Sequence, residues 1–137
     1  MNRLQRNCRS AFVILMVLLI MAVIVPAYAS EGLLDGKKFL GETGELGKTK
    51  GDKEEFVFLN GTYNPLACHK YGFSGTSYTA KAEGDVVKFT ADHSNKKGDR
   101  MKWEGTVKGN TVEGEMTYWQ GKKTPRNYWL RGTMVNE

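Results

Sequence analysis

Met101 to Trp119 carries the most regular alternation in the chain. Met101, Trp103, Gly105 and Val107 share one parity, Lys102, Glu104, Thr106 and Lys108 the other, and the alternation resumes after Gly109-Asn110. Side chains on a strand point alternately to opposite faces, so the pattern predicts two strands joined by a two-residue turn. Counting outward from that turn sets Val107 opposite Val112, Gly105 opposite Gly114, Trp103 opposite Met116 and Met101 opposite Tyr118. Both strands then bury the same face, and a slip of one residue would break the agreement.

Two more hairpins follow by the same reasoning. Around Gly84-Asp85, Ala82 falls opposite Val87, Ala80 opposite Phe89 and Tyr78 opposite Ala91. Phe56 and Phe58 share a face ahead of Asn60-Gly61, Phe58 lies opposite Tyr63, and Pro65 ends the return strand. A weaker run, Leu33 to Glu42, is expected to be a first strand anchored by Phe39, with Gly44 to Lys53 as a loop. Leu66 to Gly75 reads as a loop folded partly over the core, and Asn127 to Val135 as a last strand with Tyr128, Leu130, Gly132 and Met134 on one face. The fold class is all-β: an antiparallel up-and-down meander of about eight strands closed into a small barrel, because closure removes exposed edges. A two-sheet sandwich is the alternative. The expected interior is Phe56, Phe58, Tyr78, Phe89, Trp103, Val107, Val112, Met116, Tyr128 and Leu130.

The first 29 residues stand apart from this pattern. Arg3, Arg6 and Arg9 precede an uninterrupted apolar run from Ala11 to Val25, and Ala27-Tyr28-Ala29 supplies an A-x-A site, the signature of a signal peptide. The chain is therefore expected to be exported, to the periplasm or as a secreted protein, with residues 1–29 as leader and residues 30–137 as one β-barrel domain. Membrane contact is expected only through the leader before cleavage. The full sequence carries 20 Lys and Arg against 15 Asp and Glu. Three of those arginines leave with the leader, so the mature balance falls to about +2, and the case for a nucleic-acid partner goes with them. Cys68 is left as a lone cysteine, so packing and not a disulfide within the chain must hold the domain together.

Trp103-x-Gly105-x-Val107-x-Gly109, followed by Val112-x-Gly114 and Tyr128-Trp129-Leu130-x-Gly132, resembles the C-terminal strands of small exported bacterial proteins with a calycin-like, or lipocalin-like, barrel. The resemblance implies a barrel and a ligand cavity, and it carries over no catalytic residue. The Gly-x-Trp that opens many lipocalins is replaced here by Gly36-Lys37-Lys38-Phe39.

In an up-and-down meander the tight turns gather at one end and the long connections at the other. Long loops on a rigid scaffold are where binding sites concentrate. The long-loop end carries Tyr71 and Phe73 with the cations Lys96, Lys97, Arg100 and Arg126, which together would hold a small apolar or amphipathic ligand and orient an acidic group on it. The expected role is binding and not catalysis, with no cofactor and no metal. Cys68, His69, Asp92 and His93 fall on or near the same end and are the weak candidates for a metal site or a Cys-His nucleophile pair, although no diagnostic spacing is present. Trp119 and Trp129 fall on the outward parity, where they would stack on each other or offer a face to a protein partner or a second copy.

Overall fold

A computed structural model describes Ala29, Ser30 and residues 32–136. Apart from Ala29, the expected leader lies outside the described residues. The strands are β1 (Ala29–Ser30), β2 (Lys38–Glu45), β3 (Asp52–Leu59), β4 (Thr62–Pro65), β5 (Thr76–Glu83), β6 (Val86–Ser94), β7 (Arg100–Lys108), β8 (Thr111–Trp119) and β9 (Arg126–Met134). From β2 to β9 each strand pairs antiparallel with the next, and β9 pairs back onto β2 from Phe39↔Met134 to Glu45↔Tyr128. The eight strands thus close into a barrel and not a sandwich. β4 pairs with β5 only at Thr62↔Ser77 and Tyr63↔Thr76, and β1 pairs along the edge this leaves, at Ala80 and Lys81.

The expected registers are the observed ones: Trp103↔Met116 and Gly105↔Gly114 on β7 and β8, Ala80↔Phe89 on β5 and β6, and Phe58↔Tyr63 on β3 and β4. Turn chemistry explains this precision. Asn60 and Gly61 have φ of 51° and 72°, Gly84 61° and Gly109 57°, the left-handed conformations that two-residue hairpin loops demand. The inward glycines on β7 and β8 serve a different need: a Cβ on Gly105 would meet the Phe89 ring, and one on Gly114 would meet the Glu104 carbonyl.

Large rings fill the barrel centre. Phe58 lies 4.9 Å from Tyr63, 5.1 Å from Tyr78 and 4.9 Å from Phe89, ring centre to ring centre, mostly edge to face. Phe56 and Trp103 are fully buried beside them. Burying each such side chain is worth roughly 1.5–3 kcal/mol. Nine of the ten expected interior residues are buried, and Tyr128 is half-buried near one end.

The strand expected over Leu33 to Glu42 is β2, and it differs from expectation. It begins at Lys38, and Leu33–Lys37 is a turn that closes the tight-turn end of the barrel. Leu34 inserts as a plug with no exposed surface, its N–H donates to the Tyr78 hydroxyl at 2.9 Å, and that hydroxyl donates to Asp35 Oδ1 at 2.8 Å. Asp35 also accepts the Gly61 N–H of the β3–β4 turn. The Gly44 to Lys53 loop is shorter than expected, because β2 runs on to Glu45 and β3 starts at Asp52.

Candidate functional site

The long connections meet at the opposite end. After Pro65 the chain forms a 3-10 helix, Leu66–Tyr71, which ends at Gly72 with φ of 84°. Cys68 and Phe73 point into the core from this segment and are buried, and Phe73 packs edge to face on Tyr118 at 6.2 Å. The helix is also tied to the β6–β7 loop, where Asn95 Nδ2 donates to the Tyr71 carbonyl at 3.2 Å.

Between this lid and the strand ends lies a cavity of about 410 Å³, within the size range of small-molecule sites. Phe73, Met101, Met116, Tyr118 and Tyr128 give it apolar and aromatic walls. Tyr71, Lys70 and Arg126 line it from the loops and the start of β9, and Glu54 and Cys68 line it from the buried side. The Arg126 guanidinium lies over the Tyr118 ring at 5.3 Å and the Tyr128 ring at 6.0 Å. Lys70 lies over its neighbour Tyr71 at 5.0 Å. A hollow of about 1130 Å³ adjoins it at Lys53, Glu54 and Ala67 and is larger, but it is an open groove across the outer faces of β2, β3, β8 and β9, beside exposed Leu40 and Glu113.

Glu54 is the residue that the sequence reading did not single out. It shares the inward parity of Phe56 and Phe58 and is only 5% exposed. Its Oε1 accepts the Ala67 N–H at 2.7 Å and the Glu55 N–H at 2.9 Å, and Oε2 has the Cys68 thiol at 3.6 Å. Burial pushes the Glu54 pKa above the ordinary carboxylate value, against the opposing pull of the two backbone donors. Burial, reinforced by the Glu54 charge, pushes the Cys68 thiol well up, so it is held protonated and is a poor nucleophile. The signal in the sequence was parity: Glu54 lies two residues before Phe56 in the same alternation.

Of the residues expected to bind, Tyr71, Phe73 and Arg126 line the cavity, and Lys96, Lys97 and Arg100 do not. Lys96 and Lys97 are exposed on the β6–β7 loop. Arg100 is occupied on the outer surface, paired to Asp92 at 2.8 Å and stacked over Trp119 at 4.9 Å. The Cys68, His69, Asp92 and His93 set is dispersed. Asp92 is on the outer face with Arg100, His69 Nε2 lies 2.6 Å from Asn64 Oδ1, and His93 points inward and is buried. Among the described residues no group of three His, Cys, Asp or Glu side chains is placed to hold a metal ion. Burial lowers the His93 pKa to about 4, so its ring is neutral at physiological pH.

The two outward tryptophans do not stack on each other. Trp129 lies against Gly44, donates its Nε1–H to the Lys48 carbonyl at 2.7 Å and carries the Arg131 guanidinium 4.5 Å above its ring. Trp119 has Arg100. No protein-family model matches the chain, and neither a curated protein nor a solved structure shows significant similarity to it.

Proposed function

We propose that the protein is an exported binding module that takes a small amphipathic molecule into the cavity at the long-loop end of its barrel. The observation that carries this reading is the cavity itself, with Phe73, Met101 and Met116 offering apolar contact and Arg126 held over two tyrosine rings beside them. A guanidinium positioned by rings keeps its planar fork available for a carboxylate or phosphate. The remaining barrel is filled by Phe56, Phe58, Tyr63 and Trp103, so a ligand would occupy the mouth and not run through the centre. Export rests on the charged, apolar and A-x-A pattern of the first 29 residues. A binding role is favoured over catalysis because the Cys68 thiol is held protonated and its hydrogen-bond partner is the Glu54 carboxylate and not a histidine. Native mass spectrometry of protein isolated from its own host tests the reading. A small-molecule adduct that is lost in Phe73→Trp, which fills the cavity, is the expected result, and a bare chain from every growth condition overturns it.

A further inference from the structure

The cavity is polarised. On its buried side Glu54 is a carboxylate withdrawn from water, and its two oxygens are unequally served: Oε1 has two backbone donors, while Oε2 has only a thiol at 3.6 Å. A thiol is a weak donor, so Oε2 keeps acceptor capacity that nothing else among the described residues takes up. On the other side Arg126 and Lys70 lie over tyrosine rings, and neither forms an ion pair among the described residues. Asp52 and Lys53, which also line the cavity, add one charge of each sign and leave this polarity in place.

Resting on the binding role proposed above, we infer that the mouth cavity selects a zwitterion: an apolar body carrying an ammonium group against Glu54 and a carboxylate against Arg126. The ammonium brings three donors to the under-served Oε2, and the carboxylate matches the fork of the guanidinium. Phe73, Met101 and Met116 take the hydrocarbon between them. A plain alkanoate fits less well, because its tail would press against a buried charged oxygen and leave it without solvent or partner. A plain alkylamine forgoes only the Arg126 contact, which is exposed and contributes less.

Methionine methyl groups report the test directly. Met101 and Met116 line the cavity and Met134 does not, so protein labelled with [methyl-13C]methionine carries both a probe and an internal control. Short ω-amino carboxylates are titrated beside n-alkylamines and n-alkanoates of matched length. The zwitterion is expected to shift Met101 and Met116 and to bind roughly tenfold tighter than the alkanoate, the scale of one charge-assisted hydrogen bond. Glu54→Gln should remove that advantage, and Arg126→Gln, at an exposed site that does not endanger the fold, should remove the smaller advantage over the alkylamine. If alkanoates bind wild type as tightly as the zwitterions, the inference fails while the binding role stands. If no member of the series moves the Met101 or Met116 methyls, the inference fails; the native mass measurement judges the binding role separately.

Discussion

Glu54 Oε1 lies 2.7 Å from the Ala67 nitrogen, which joins the inner face of β3 to the first turn of the 3-10 lid. The same oxygen holds the Glu55 N–H, so one buried atom serves two backbone donors that would otherwise lack a partner. Deleting a buried partner leaves each donor with its desolvation cost, about 1–3 kcal/mol.

Glu54→Ala is therefore expected to destabilise the barrel by about 2 kcal/mol and to release the lid before the sheet. Hydrogen exchange at Ala67 should accelerate far more than exchange in β7 or β8. Glu54→Gln retains an acceptor oxygen and should protect Ala67 nearly as well as wild type. Equal exchange at Ala67 in wild type and Glu54→Ala would show that the lid is held by its apolar contacts alone.

His93 and Glu54 oppose each other in acid. The folded-state pKa of His93 is lowered to about 4 from an ordinary 6.5, so the unfolded chain takes up a proton first and stability is lost as pH falls from 6.5 toward 4, by up to about 3 kcal/mol. Glu54 is raised above its ordinary value of 4.5, so the folded chain takes up that proton first, and stability is gained as pH falls through the interval above 4.5. Urea unfolding across pH should show Glu54→Gln losing stability in acid more steeply than wild type, and His93→Gln losing it less steeply. Surface carboxylates such as Glu45 and Glu83 contribute to all three curves alike and cancel in the comparison. Superimposable slopes would refute the assignment of either group.

The hairpins were legible because two independent signals coincided in them, side-chain parity and a turn residue able to adopt positive φ, as at Val107↔Val112 around Gly109. The end of the barrel that holds the cavity followed from connectivity alone. Glu54 was hidden because a charge at an inward position breaks the apolar alternation it belongs to, and only the fold brings up the Ala67 and Cys68 groups that accommodate it. Arg100 was misplaced for the converse reason. Its neighbour Asp92 lies on the paired strand and draws it onto the outer face, a contact set by register and not by loop membership. Leu33-Leu34 read as strand because two adjacent leucines carry no period that separates a strand from a plug.

That plug yields the last prediction. The Tyr78 hydroxyl accepts the Leu34 N–H and donates to Asp35, and Asp35 in turn receives the Gly61 N–H, so one phenol links the N-terminal turn to the β3–β4 hairpin. Burial, with Asp35 as hydrogen-bond acceptor, raises the Tyr78 pKa to about 12, so the hydroxyl keeps its proton throughout the ordinary pH range. Tyr78→Phe keeps the ring that packs on Phe58 and removes only the bridge, leaving the buried Leu34 N–H unpaired; a loss of about 1–2 kcal/mol is expected. Leu34→Ala removes the plug itself and should cost more, about 2–4 kcal/mol, because it opens a void at a fully buried position. Both changes lie at the end of the barrel away from the cavity, so ligand shifts at Met101 and Met116 should survive in each variant while the unfolding midpoint falls. Loss of those shifts in Tyr78→Phe at unchanged secondary structure would mean that the two ends of the barrel are coupled through its aromatic centre.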